Sequence, residues 1–101
     1  MTREAKPFDA ARFFTTRESQ AELLAEAFEG GHAGYITQAL GTVARARGMS
    51  DVARGAGVTR EALYKALSGK GDPKLSTLLG IARALGLQLT VARAAHDSAA
   101  E

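Results

Sequence analysis

Thr59, Arg60, Glu61, Tyr64 and Lys65 place five polar side chains within seven residues of sequence. If residues 60–65 are helical, the last four of these side chains project from one side of the helix. Guanidinium, carboxylate, hydroxyl and ammonium groups on an exposed helix are the donors and acceptors that contact base edges in the major groove of DNA. The pattern therefore predicts a helix that recognises a DNA sequence.

The preceding residues meet the requirements of a second short helix and a tight turn. Ala53 is small enough for close helix contact, Gly57 tolerates a positive φ, and Thr59 suits a helix N-cap. The apolar residues that fix the crossing angle are Val52, Val58 and Leu63. Two short helices joined by such a turn form a helix-turn-helix. A helix corner that binds no DNA is the alternative, but it would not need the exposed polar face.

The base-contacting candidates are Arg60, Glu61, Tyr64 and Lys65. Arg60 suits a bidentate pair with guanine. Glu61 either accepts from a cytosine amine or orients Arg60. Tyr64 and Lys65 lie one helical turn further on, where they would contact a thymine methyl group, a base or a phosphate. The alternative for Tyr64 is a half-buried ring that packs against the protein.

A second set of residues lies on the flanking turns, where the DNA backbone passes. Such contacts fix the register of the protein without reading the sequence. We expect Thr59 to cap its helix and contact phosphate as well. The predicted backbone contacts are Ser50, Thr59, Ser68, Lys70 and Lys74.

Helix caps and apolar periodicity predict the elements that position these residues. Asp9 suits the cap of a short N-terminal helix, and Ser19 with Glu22 has the pattern of a capping box. Gly30 and Gly31 end the second of these helices. The later helices are predicted at 34–47, 51–56, 60–67 and 77–85.

Glycine and hydroxyl residues punctuate this second part of the chain. The residues expected in left-handed conformation after a helix are Gly48, Gly57, Gly69 and Gly86, and the expected N-caps are Ser50, Thr59 and Ser76 or Thr77. Alternation from Leu87 to Val91 is typical of a short strand, and pairing of that strand with its copy is a conceivable dimer contact.

The predicted fold is all-α, a compact bundle of about five short helices. Its expected core is Leu40, Val43, Val52, Leu63, Leu67, Leu78, Ile81 and Leu85, with Phe28 and Ile36 tying the N-terminal helix to it. We expect a helical extension at 1–32, the helix-turn-helix domain at 33–87, and a strand with a frayed tail at 88–101.

Catalysis is not expected from the residues present. The 101-residue chain has no cysteine, and His32 and His96 have no further ligand at metal-binding spacing. Gly55 and Gly57 follow a helix rather than a strand, unlike a dinucleotide fingerprint. We expect no enzyme activity, no metal and no cofactor. Without an apolar run near the roughly 18–20 residues of a membrane span or a signal-peptide core, a cytosolic location is expected.

The charge is distributed unevenly. The formal net charge is only +2, but residues 1–32 carry −2 and residues 45–74 carry +4. The basic segment coincides with the predicted helix-turn-helix. Arg45 and Arg47 lie at a helix C-terminus, where they complement the helix dipole. The glutamates of the 17–29 helix are either a solvated face or a contact for a basic partner.

The run Ala39-Leu40-Gly41 followed by Ala44-Arg45-Ala46-Arg47-Gly48-Met49-Ser50, and the run 57–68, Gly-Val-Thr-Arg-Glu-Ala-Leu-Tyr-Lys-Ala-Leu-Ser, carry a family resemblance. Gly71-Asp72-Pro73 and Ala84-Leu85-Gly86-Leu87 continue it. The sequence resembles the addiction-module antidote proteins, HigA-like antitoxins with a Cro-repressor-type helix-turn-helix, over roughly residues 8–92.

The resemblance implies a homodimeric repressor that binds double-stranded DNA in its own promoter and neutralises a RelE/ParE-like toxin encoded beside it. The first short helix departs from the Cro-type pattern, because Met49-Ser50-Asp51 stands where a glutamine usually contacts the DNA backbone. The alternative function is an orphan helix-turn-helix regulator, or an interaction module without a toxin.

Overall fold

Five α-helices follow one another in the computed structural model, which describes residues 9–94. After a 3-10 helix at Ala10–Phe13 come α1 (Arg17–Gly30), α2 (Ala33–Arg47), α3 (Met49–Ala56), α4 (Arg60–Ala66) and α5 (Leu75–Ala84). Every regular element in this range is helical, which confirms the all-α prediction. The N-terminal residues 1–8, and residues 95–101 of the predicted tail with His96, lie outside the described residues.

The segment 87–91 forms no strand in the described part of the chain. A strand needs a neighbour with which to exchange backbone hydrogen bonds, and no other segment pairs with this one. Instead, Leu87 and Leu89 line a groove against the helices, whereas Val91 is 94% exposed. Within one chain, the alternation of apolar residues therefore accompanies packing onto helices and not a sheet, and pairing with a second copy stays a prediction.

The α1 and α2 helices begin with side-chain caps that the sequence patterns did not indicate. The capping box of α1 joins Thr16 and Ser19, not Ser19 and Glu22: Thr16 Oγ1 accepts from the Ser19 amide at 3.0 Å, and Ser19 Oγ accepts from the Thr16 amide at 3.3 Å. Gly31, with a φ of 71°, ends α1 as expected. His32 caps α2 by accepting a backbone hydrogen bond at Nδ1, a role that the sequence analysis missed.

The turns around α3 confirm two predicted caps and correct a third. Gly48, with a φ of 105°, both ends α2 and precedes α3, so Ser50 lies inside the first turn of α3 and is not its N-cap. Gly57 has the predicted left-handed conformation, with a φ of 76°. Thr59 caps α4 as predicted, because its Oγ1 accepts from the Ala62 amide at 3.0 Å.

The loop between α4 and α5 also differs from the prediction. Gly69 is not among the glycines with positive φ. The chain turns here through a hydrogen bond in which the Ser68 carbonyl accepts from the Gly71 amide at 2.9 Å. The α5 helix begins at Leu75 after Lys74, without a side-chain cap, so neither Ser76 nor Thr77 is its N-cap. The helix thus starts two residues earlier than expected.

A single buried cluster draws residues from all five helices. Seven of the eight predicted core residues are buried, and Leu78 is partly buried against the cluster. Leu24 and Ala27 add α1 to it, together with the partly buried Ile36 of α2. The N-terminal helix therefore shares its core with the rest of the described chain.

Arg47 joins three parts of this fold. Its Nε donates to Gln20 Oε1 at 2.6 Å and its terminal nitrogen donates to the Leu85 carbonyl at 3.2 Å. Gln20 in turn donates to the Phe14 carbonyl at 2.8 Å. Burial, with the nearby charge of Arg17, lowers the pKa of Arg47. The side chain thus ties α2 to α1 and to the end of α5, beyond the dipole contact expected from its position.

The crossing of α3 and α5 is unusually close because it is lined by glycine and alanine. A methyl group added at Gly80 would lie 2.9 Å from the Ala56 carbonyl oxygen. One added at Gly55 would lie 2.9 Å from the methyl group of Ala84. Larger residues at these positions would force the two helices apart.

We predict that Gly80→Ala destabilises the protein by about 1–3 kcal/mol, because the new methyl group would press on a backbone atom that cannot move independently of α3. Gly30→Ala is the matched control, since its methyl group meets nothing within 4 Å and alanine favours helix. The free energy of unfolding from urea denaturation measures both. Equal stability of the two variants would contradict the close crossing.

Candidate nucleic-acid interface

The α4 helix divides into a buried and an exposed side. Leu63 is fully buried, and Leu67 is buried just beyond the helix end. Arg60, Glu61, Tyr64 and Lys65 are all exposed. Since successive helical residues are turned by about 100°, these four side chains occupy one continuous side of α4, so the structure brings the predicted base-contacting residues together.

The start of α4 is fixed by the turn that precedes it. The amide of Gly57 donates to the Arg54 carbonyl at 3.2 Å, and the amide of Val58 donates to the Ala53 carbonyl at 3.0 Å. These bonds connect the end of α3 to the turn. Thr59 then satisfies an amide in the first turn of α4. Its hydroxyl hydrogen is still available to donate to a ligand, because the cap uses only the oxygen as acceptor.

Arg60 and Tyr64 interact across one turn of the exposed side. A terminal nitrogen of Arg60 donates to the Tyr64 hydroxyl at 3.3 Å, and the guanidinium lies 5.5 Å from the centre of the Tyr64 ring. Tyr64 is 46% exposed, so its ring is a surface group rather than core packing. Arg60 is therefore oriented by Tyr64 in the free protein, and not by Glu61.

The residues predicted to contact the DNA backbone are exposed on α3, at the start of α4 and in the loop that follows. Ser50 lies in the first turn of α3, and Lys70 and Lys74 lie in the loop before α5. Ser68 Oγ donates to the Lys65 carbonyl at 3.0 Å, so this hydroxyl already stabilises the end of α4. Its oxygen remains an acceptor only, which makes it a weaker partner for phosphate than an unengaged hydroxyl.

The loop after α4 is held tightly against the helix. A methyl group at Gly71 would overlap the carbonyl groups of Ala66 and Lys65, so only glycine fits without displacing the helix end. This contact fixes the path of the chain at Lys70.

Several charges near α4 are already paired. Arg54 and Asp51 form an exposed ion pair at 3.0 Å within α3. Arg45 pairs with Asp9 at 3.2 Å. A backbone hydrogen bond from Ala11 is the main reason why the pKa of Asp9 is lowered, and Arg45 adds to this effect. The basic side chains that α4 and its loop leave exposed are Arg60, Lys65, Lys70 and Lys74.

Arg45 also occupies a position that the sequence analysis did not predict. With Gln38, it lines a polar cleft of about 430 Å³ beside Leu67, Ser68 and Gly69. The α2 helix and the loop pack closely here, since a methyl group at Gly41 would lie in van der Waals contact, at 3.4 Å, with both Arg45 and the Leu67 carbonyl oxygen. No periodicity in the sequence indicates this approach between α2 and the loop.

Two features are absent from the described range. Residues 9–94 contain no group of three His, Cys, Asp or Glu side chains arranged to hold a metal ion. None of the helices in this range is long and apolar enough to span a membrane.

Fold and site together define a small all-helical protein that presents one short polar helix on its surface. The chain belongs to the family of probable addiction module antidote proteins, whose family model matches residues 4–93. It is 45% identical over 91 residues to an uncharacterized protein of Haemophilus influenzae, covering 90% of this chain and 94% of that relative. No solved structure matches it. Membership confirms the predicted antidote family and, with it, a toxin as partner in general.

We predict that Thr59→Ala destabilises the protein by about 1 kcal/mol, because the mutation leaves an amide of α4 without its cap. Thr59→Ser should retain most of the stability. Ser50→Ala is the matched control, since Ser50 is exposed and caps no helix. Thermal or urea unfolding measures the three variants, and a larger loss at Ser50 than at Thr59 would contradict the assignment of the caps.

Proposed function

We propose that this protein is a sequence-specific DNA-binding antitoxin that represses its own operon and neutralises a RelE/ParE-like toxin. The observation that carries the DNA-binding half is the exposed polar side of α4, held by a capped helix start and a glycine turn. The antidote family supports the antitoxin half. The α3–turn–α4 unit is then a Cro-repressor-type helix-turn-helix.

In this proposal α4 enters the major groove and its first turns meet the base edges. Arg60 reads guanine by two parallel hydrogen bonds, and the Tyr64 ring and hydroxyl hold the guanidinium before DNA arrives. Holding the side chain in advance reduces the rotamer entropy lost on binding. Glu61 accepts from a cytosine amine, and Lys65 contacts a base or a phosphate.

The phosphate contacts come from the turns around α3 and α4. Thr59 donates its remaining hydroxyl hydrogen, while Lys70 and Lys74 approach as point charges. Ser50 contributes its hydroxyl group, and Ser68 does so once its hydroxyl has turned away from the Lys65 carbonyl. These contacts fix the orientation of α4 and supply the part of the affinity that depends on salt.

We further propose a cytoplasmic homodimer. A single α4 covers only a few base pairs, whereas two-fold operators present half-sites about 34 Å apart. We propose a role in binding rather than in catalysis, without a metal or a cofactor.

We predict that Arg60→Lys weakens binding to operator DNA and relaxes the choice of base at one position, at a cost of about 1–3 kcal/mol, because lysine keeps the charge but loses the bidentate geometry. Fluorescence anisotropy measures both the affinity and the base preference, with DNA from upstream of the operon and with single-base variants of that DNA. Lys70→Ala should instead weaken all sequences alike and reduce the salt slope by about 0.9 for each protomer bound to the DNA. If Arg60→Lys keeps the full base preference, Arg60 is not the residue that selects this base.

Co-expression distinguishes the antitoxin from an orphan regulator. We expect this protein to co-purify with the product of the adjacent gene, and to restore growth of cells that express that product. A chain that shifts its own promoter DNA but neither binds nor neutralises the neighbour would be an orphan regulator. Arg60→Ala should abolish the DNA shift and leave neutralisation intact.

A further inference from the structure

An apolar groove lies on elements other than α4. It has a volume of about 300 Å³ and is open to solvent between α1, α5 and the segment 87–90. We call it the α1–α5 groove. Leu24 and Leu40 form its floor, and its walls include Ala21, Ala25 and Phe28 of α1, Leu78 and Ala82 of α5, and Leu89.

The α5 wall of the groove continues onto the surface as two exposed leucines. Leu75 is 68% exposed and Leu79 is 42% exposed. They are one helical turn apart and lie beside Leu78 and Ala82 on the same side of α5. Contiguous apolar surface of this kind marks a site of interaction with another molecule.

The α1 edge of the groove is acidic. Glu18, Glu22, Glu26 and Glu29 recur along the side of α1 next to Ala25, and all four are exposed. Within residues 9–94 none of them forms an ion pair. The groove therefore has an apolar interior and, along one edge, a row of glutamates that have no cationic partner among the described residues.

We propose that the α1–α5 groove binds a basic amphipathic segment of the toxin. Its apolar side chains enter the groove between α1 and the exposed leucines of α5, and its lysines or arginines face the glutamate row. This is the arrangement of a helix bound in a groove. The proposal rests on the antitoxin function proposed above and assigns the toxin to a surface separate from α4.

The charges disfavour a second copy of this chain as the occupant. In a two-fold dimer the same patch meets itself, so the glutamate rows of two copies would approach one another. Like charges placed together across an interface are unfavourable. A copy that brought its basic α4 to the row would instead cover the surface proposed for DNA.

The test uses the product of the adjacent gene, separated from the co-expressed complex, and measures its Kd for the full-length chain. Ala25→Arg places bulk and positive charge in the groove at an exposed position, so the variant should fold. We expect it to weaken toxin binding about tenfold or more, as for the centre of an interface. Ala33→Arg, an exposed alanine that does not line the groove, is the matched control and should bind as the wild type does.

A second variant tests the charges without adding bulk. Glu22→Gln with Glu26→Gln should slow association several-fold at low salt and lose this effect at high salt, because exposed charges mainly steer encounter. Glu61→Gln also removes a negative charge, but from α4, and should leave the rate of toxin association unchanged. Operator binding by Ala25→Arg and by the double variant should remain that of the wild type.

Each other outcome overturns a distinct part of the proposal. A wild-type chain that does not bind the neighbour refutes the antitoxin function and, with it, the occupant of the groove. A complex that tolerates Ala25→Arg refutes the groove alone. If Ala25→Arg converts a dimer to a monomer in sedimentation analysis without weakening toxin binding, the groove joins two copies and the toxin site lies elsewhere.

Discussion

The close approach of α3 to α5 depends on the absence of large side chains where the two helices cross. Gly80 faces the carbonyl of Ala56, and Gly55 faces the methyl group of Ala84, so the two backbones come closer than larger residues would permit. α3 then carries α4 through the left-handed turn at Gly57. The direction of the polar side of α4 therefore depends on atoms outside α4. The 21 alanines of the sequence suit helices that are short and cross closely.

The parts of the fold that could be predicted are those for which local backbone geometry demands one residue type. A left-handed residue after α3 requires glycine, and Gly57 was the candidate at that position. Thr59 was the hydroxyl residue next to a periodic apolar segment, and its cap is where the pattern placed it. The buried positions Leu63 and Ile81 follow from helical periodicity alone. The exposed side of α4 could be predicted because it consists of the positions that this apolar pattern leaves out.

The parts that could not be predicted involve a choice between neighbours or a contact distant in sequence. Thr16 and Ser19 both suit an N-cap, and the sequence pattern does not decide between them; in the structure the helix starts after Thr16. Arg47 reaches Gln20 and the Leu85 carbonyl, 27 and 38 residues away in sequence. No periodicity encodes such a pairing. The α1–α5 groove is hidden for the same reason, since its walls come from separate helices and a segment whose alternation is typical of a strand.

The two proposed binding surfaces share one core but differ in charge. Leu24 of α1 and Leu63 of α4 belong to the same buried cluster, so a ligand bound at either surface stabilises the whole folded unit by mass action. On the proposed assignment, the toxin would favour the ordered α4 without touching it, and the operator would favour the ordered α1 by the same amount, since coupling is reciprocal. On the same assignment, the signs of the charges would keep the ligands apart. A basic toxin would be attracted by the glutamate row and repelled by α4, whereas DNA would be attracted by α4 and repelled by the row. The net charge of +2 conceals this division, because it is the small difference between an acidic first third and a basic middle third.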